Sequence, residues 1–231
     1  MIREIKKRKN KMKLFVISFD DGTVHDLKFI ELLNKYNLKA SLNLNSGLED
    51  FVWYCNGIPI ERLKLNKYAD YFINHEVCSH SLTHPCLTSL SESDLSYEIN
   101  QDVYNLECIF KRKINGFAVP FTECNEREID IIRRNTKIEF IRLSCYNSDF
   151  NFPSDPYHYK ITALYNDKDV YDKINVFSKV EDGIFILCGH SYEFYVNNEW
   201  DKIEDILKYI ISFNDIEVVT LAEASDRIFN K

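Results

Sequence analysis

The chain has 231 residues, 45% hydrophobic and 14% aromatic, with only 6 Gly and 5 Pro, which excludes a disordered or low-complexity protein. A net charge of -7 argues against broad binding to a phosphate backbone, which needs clustered cations. No stretch approaches the ~20 apolar residues of a membrane span.

From the N-terminus, MIREIKKRKNKMK carries seven Lys or Arg. It reads as a basic extension over residues 1–12, or as leader-like residues ahead of a start at Met12. The following LFVISF is too short for the apolar core of a secretion signal and runs into Asp20 and Asp21. Seven cysteines, an odd number without a CxxC pair, fit reduced thiols and a cytoplasmic location.

Short apolar runs predict strands at 14–18, 40–44, 76–78, 116–119, 140–143, 184–188 and 218–219. Amphipathic patterns predict helices near 26–36, 61–74, 92–111, 125–135, 167–179, 199–213 and 221–229. Ser91-Glu92-Ser93-Asp94 carries a helix-start signature. Residues 144–160, SCYNSDFNFPSDPYHYK, form the longest turn-rich stretch and predict a loop over one face. Regular alternation without a Pro/Gly-rich linker predicts a single α/β domain over 13–231, an irregular (β/α) barrel of about seven strands.

In parallel barrels, chemistry gathers at the C-terminal ends of strands. Three polar clusters fall there: Asp20-Asp21, SHSLTH and GHSYE. Each alone has an ordinary explanation: a turn, a solvated helix face, a buried histidine. Together they supply two carboxylates and three imidazoles on one edge. His80 and His84 have ligand spacing, and Pro85 steers His84 toward an extended backbone. Two imidazoles and a carboxylate make a three-ligand divalent site with open positions. One Asp of the pair could then ligate while the other accepts a proton, and a separate His could protonate a leaving group. SFDDGTVHD also evokes the DxDGT of haloacid-dehalogenase-type phosphatases, but Phe19 stands where their nucleophilic Asp is required, so that reading fails.

With these clusters placed, the chain resembles the polysaccharide deacetylases, the NodB-homology group of carbohydrate esterases, from about residue 13 to 225. SFDDG is similar to the first motif (TFDDG), CSHSLTHP to the second (SHTxxHP), KINGFAVPF to the third and IFILCGHSYEF to the histidine-bearing last motif. The resemblance implies a (β/α) barrel, with Asp20 as catalytic base, Asp21, His80 and His84 as metal ligands and His190 as general acid. It implies an oxyanion donor in the backbone N–H of Phe121, and one divalent ion, Zn by default with Co, Ni or Mn able to serve. The implied reaction is hydrolysis of an N-acetyl amide, or an O-acetyl ester, on an amino sugar or short glycan. A non-catalytic carbohydrate-binding relative, or a C–N hydrolase acting on a cyclic imide or formamide, is the alternative.

The chain departs from the family pattern twice. Ala118 stands where the third motif usually has an Arg that orients the base; Arg142, ending the next strand, could supply that cation or be a plain surface Arg. The fourth-motif Asp and Trp are not recognisable, with Asp149 or Asp155 as substitutes. Tyr192 and Glu193 could line the substrate groove or order a loop. Trp53 with Tyr54 offer sugar-stacking faces, while Trp200 reads better as helix-face packing. His158 reads as exposed or structural, and His25 and His75 match no motif position.

Overall fold

A computed structural model describes residues 11–147 and 149–230. The elements in chain order are β1 (Lys13–Asp20), α1 (Asp26–Lys35), β2 (Ser41–Leu44), β3 (Val52–Cys55), β4 (Ile58–Glu61), α2 (Leu65–Tyr68), β5 (Glu76–Ser79) and α3 (Glu92–Phe110). There follow β6 (Gly116–Ala118), α4 (Glu126–Asn135), β7 (Phe140–Tyr146), β8 (Tyr159–Ile161), β9 (Ala163–Leu164) and α5 (Val170–Ser178). β10 (Gly183–His190), α6 (Ser191–Val196), α7 (Trp200–Ile211), β11 (Glu217–Val219) and α8 (Leu221–Phe229) complete the chain. Residues 1–10 of the basic extension lie outside the described residues; Lys11 pairs with Glu181 at 3.0 Å.

Eight strands run in the order β8-β7-β6-β5-β2-β1-β10-β9, all in parallel pairs. One segment closes the wall: β8 pairs with β7, and two residues on, β9 pairs with β10. The result is a nearly closed (β/α) barrel, the architecture the alternation predicts, with eight wall strands instead of about seven. β11 fills a notch, pairing Leu14–Val16 of β1 while β2 pairs Ser18–Asp20 above it.

Side chains alternate across the wall, as the two-residue period of a strand requires. Phe15, Ile17 and Phe19 of β1 face outward into the layer shared with the helices. Leu14 and Val16, with Ile184, Ile186 and Cys188 of β10, fill the barrel interior. α8 plugs the N-terminal end of that interior with Leu221, Ala224 and Ile228. Its first turn is capped by Thr220 and held by Glu76, which accepts from the Leu221 and Ala222 N–H groups. The same alternation carries Asp20 and His190, the last residues of β1 and β10, to the open end as direct cross-strand partners.

Two segments differ from the sequence expectation. The helix predicted at 61–74 is a four-residue α2 followed by a 3-10 turn at Ala69–Phe72. Ahead of it stands an antiparallel hairpin, β3–β4, whose turn residues Asn56 and Gly57 have φ of 50° and 79°. The loop predicted at 144–160 is shorter, since β7 extends to Tyr146 and β8 starts at Tyr159. No helix among the described residues is long and apolar enough to cross a membrane.

Candidate active site

The strand-end residues meet in a cavity of about 400 Å³ at the C-terminal mouth of the barrel. Asp20, Asp21, His80, His84, Phe121, Arg142 and His190 all line it. Every residue to which the sequence reading gave a catalytic, oxyanion or ligand role therefore faces one space.

Asp20 ends β1 between Asn43 of β2 and His190 of β10. Asn43 Nδ2 donates to its Oδ1 at 2.7 Å, and Arg142 Nη2 makes a short ion pair with the same oxygen. Oδ2 has the Cys188 thiol 3.8 Å away. Burial would raise the Asp20 pKa, but Arg142, then His80 and His190, outweigh it and hold the carboxyl at about 2. Arg142 itself is fully buried and braced by Ser144 Oγ at 2.7 Å, which in turn donates to the Val119 carbonyl at 2.7 Å. It is no surface arginine. It reaches Asp20 from the strand neighbouring Ala118, its direct cross-strand partner.

After Asp20 the backbone leaves the strand through two residues with positive φ, Asp21 at 88° and Gly22 at 65°. Ser81 (65°), His84 (57°) and Phe121 (56°) are likewise left-handed. Such conformations are costly for residues with a Cβ and cluster where surrounding structure over-determines them. His84, expected to be extended ahead of Pro85, thus avoids the right-handed helical region by another route: Ser81 Oγ accepts from its N–H at 3.1 Å, closing a tight turn.

Asp21, His80 and His84 each offer one ligand atom, all within 4.8 Å of one another. Asp21 Oδ1 and His84 Nε2 are 3.7 Å apart. Two donors about 2.1 Å from a tetrahedral ion sit roughly 3.4 Å apart, so this spacing suits a shared ion. His80 Nδ1 lies 2.8 Å from the Ala118 carbonyl, which fixes a proton on Nδ1 and leaves Nε2 as the donor. Burial pushes the His80 pKa down to about 4 and lowers that of His84, so both imidazoles are neutral near pH 7. The donor set fits a divalent cation.

His190 ends β10 on the far side of Asp21, with Nε2 3.8 Å from Asp21 Oδ2. Gly189 precedes it because a Cβ there would lie 2.7 Å from the Tyr165 ring. Glu193 places Oε2 3.4 Å from His190 Nδ1 and also accepts from the His190 N–H, capping α6. Burial opposes charge on this imidazole, but Glu193, Asp21 and Asp20 prevail and raise its pKa to about 9.

Other candidates fall elsewhere. Asp149 bonds Asn151 within its own loop, and Asp155 pairs with His158 and Arg133. Neither is paired with His190; the carboxylate beside its Nδ1 is Glu193. Trp200 packs on Phe194 under Lys28, away from the cavity. Trp53 sits edge-on to Tyr192 at 5.4 Å, and Tyr54 is 71% exposed. His25 stacks on Tyr195 and His75 lies beside Asn34. Sequence reading missed Arg62, buried against Asp21 and Asn45, because the segment around it reads as helix.

The sequence profile of the polysaccharide deacetylase family matches residues 7–137, more than half of the chain. The chain belongs to the polysaccharide deacetylase family. The matched span includes the Asp20-Asp21 and His80–His84 motifs, the β3–β4 hairpin and the third-motif turn at Phe121. Among solved structures, the Xyl-CE4 domain of a multidomain xylanase from the hindgut metagenome of Trinervitermes trinervoides is similar in fold. Its TM-score is 0.64 at 18% identity, over 94% of this chain and 91% of that one. Peptidoglycan deacetylase PdaC from Bacillus subtilis gives 0.58 at 18%, over 94% and 93%. BA3943 of Bacillus anthracis, described as a CE4 family pseudoenzyme, gives 0.63 at 16%, over 94% and 66%. No curated protein matches the sequence. At these identities the structural likenesses establish the polysaccharide deacetylase barrel alone.

Proposed function

We propose that the chain is a divalent-metal-dependent deacetylase that hydrolyses N-acetyl groups on an amino sugar or short glycan, releasing acetate. One observation carries this reading: three ligand atoms converge within 4.8 Å, in a single cavity that Asp20 and His190 also line. Asp21, His80 and His84 would hold the ion, zinc being the default for one carboxylate and two imidazoles. When bound, such an ion supplies Lewis acidity, bringing the ionisation of water near neutral pH and drawing charge from a carbonyl oxygen.

The chain's own residues do the rest. Asp20 accepts the proton of the attacking water; the Arg142 pair lowers its basicity but fixes Oδ1, leaving Oδ2, 3.8 Å from the Cys188 thiol, to take the proton. The Phe121 N–H, on a left-handed residue of the cavity wall, donates to the developing oxyanion. His190, with Glu193 beside its Nδ1, gives its proton to the departing amine. The intact set favours turnover over a purely carbohydrate-binding role. Acetate release from N-acetylated chito-oligomers tests the reading. Wild type is expected to release acetate while Asp20→Asn binds the ion but does not turn over. A set of acetylated sugars left wholly intact by the ion-loaded wild type would overturn it, and turnover of a cyclic imide or formamide instead would redirect it.

A further inference from the structure

Arg62 follows the β3–β4 hairpin and is sewn to the loop that carries Asp21. Thr23 and Arg62 form an antiparallel bridge, the Leu63 N–H donates to the Gly22 carbonyl at 2.8 Å, and the Val24 N–H donates to the Glu61 carbonyl at 3.1 Å. This places the guanidinium inside: its side chain is 7% exposed and lies 4.7 Å over the Trp53 ring. Nη1 donates to the Asp21 carbonyl, to Asp21 Oδ1 at 3.1 Å and to Asn45 Oδ1 at 2.9 Å. Asn45 in turn donates from Nδ2 to the His80 and Ser81 carbonyls. One arginine thus ties the first-motif carboxylate to the turn that carries both histidines.

The oxygen it holds is the one that matters. Asp21 Oδ1 is also the atom 3.7 Å from His84 Nε2, and so the natural ligand oxygen of the site. A carboxylate oxygen has lone pairs for both partners, but a guanidinium at that distance repels a dication and draws density from the shared oxygen. Solvent screens this repulsion little, since both side chains are buried. Among the described residues the Nε atom of Arg62 has no hydrogen-bond partner, and the group is anchored through its contacts with Asp21, Asn45 and Trp53.

We propose that Arg62 is a resident counter-ion of the metal-binding carboxylate. It holds Asp21 in its left-handed conformation when the ion is absent and limits how tightly the ion binds when present. The inference rests on the ion-site reading above and adds a positioning residue that sets affinity.

The test measures ion affinity of the full chain by competition between Zn²⁺ or Co²⁺ and a chromophoric chelator, together with Tm with and without excess chelator. Arg62→Gln keeps an amide donor and removes the charge; it is expected to bind the ion about tenfold more tightly, within the range that partners of metal ligands exert. Its chelator-treated form is expected to lose more Tm than its ion-loaded form, widening the gap between the two. Arg62→Lys, which keeps the charge, is expected to stay within about threefold of wild type. Should glutamine prevent folding, Arg62→Met keeps the stem against Trp53 and carries the same expectation. Unchanged or weaker affinity in a folded neutral variant overturns the inference and leaves Arg62 a scaffold residue. That failure is distinct from failure of the underlying reading, in which the wild type itself would bind no ion.

Discussion

Asp20 and Arg142, 122 positions apart in sequence, form a fully buried ion pair at the mouth of the barrel. Removing one partner of such a pair strands the other charge, at about 3–5 kcal/mol. Arg142→Ala is therefore expected to lower Tm and to cut acetate release about 100-fold by freeing the base. Because Ala118 is the cross-strand partner of Arg142, both side chains start from one patch of the inner wall. Ala118→Arg combined with Arg142→Ala moves the cation to the place the family usually uses, and is expected to recover part of both losses. Unchanged turnover and Tm in Arg142→Ala would remove the residue from the site's machinery.

Glu193 meets His190 twice, with Oε2 3.4 Å from the ring Nδ1 and accepting from the backbone N–H. Glu193→Gln can still accept from the N–H and so keeps the α6 cap, while the charge beside the imidazole is lost. Turnover is expected to fall about tenfold, less than the roughly 100-fold or more that losing the general acid itself would cost, with Tm nearly unchanged. Glu193→Ala is expected to lower both, the cap being worth about 1 kcal/mol. Equal kinetics in wild type and Glu193→Gln would limit Glu193 to capping.

His84 has one side chain wall open to the cavity and few obligations to the core, its side chain being 19% exposed. His84→Ala is expected to weaken ion binding by more than about 100-fold, beyond what outer partners exert, with little change in the Tm of the chelator-treated protein. Isothermal titration with Zn²⁺ and a melt in chelator check both halves.

A second histidine sets acid sensitivity away from the site. His75 is buried, with Nε2 3.2 Å from Asn34 Oδ1 and, among the described residues, no hydrogen-bond partner on Nδ1. Burial, and then Arg112, push its pKa from 6.5 down to about 4. Between these values the unfolded chain holds a proton that the folded chain does not. His75 therefore removes stability as pH falls from 6.5 toward 4 and has no such effect above 6.5. His75→Gln is expected to flatten this part of the Tm–pH curve, and parallel curves for the two proteins across the window would contradict it.

The barrel was legible because its strands are short, apolar and bounded, and because buried parallel strands read as runs. The site was legible because its residues fall at the ends of such runs: Asp20 at the end of β1 and Asp21 just after it, His80 after β5, His190 at the end of β10. What stayed hidden depends on pairing across the chain. Arg142 was in view as a possible replacement cation, but nothing local to it decides between that and a surface arginine; its burial and its contact with Asp20 do. Glu193 was in view three residues beyond His190, but only the start of α6 turns it back onto the ring. Arg62 was lost with the β3–β4 hairpin, although Asn56-Gly57 between Val52–Cys55 and Ile58–Glu61 carries the turn signal that would have found it. The closing strands β8 and β9 are three and two residues long, too short for any period to show.

The most direct test of the account is a single titration: metal-free protein, prepared with chelator, is given Zn²⁺ in steps while acetate release from an N-acetylated chito-oligomer is followed. The account predicts no release without the ion, a rise that saturates at one equivalent per chain, and no rise in Asp21→Ala. Acetate release that survives complete removal of the ion, or an equal rise in Asp21→Ala, would contradict it.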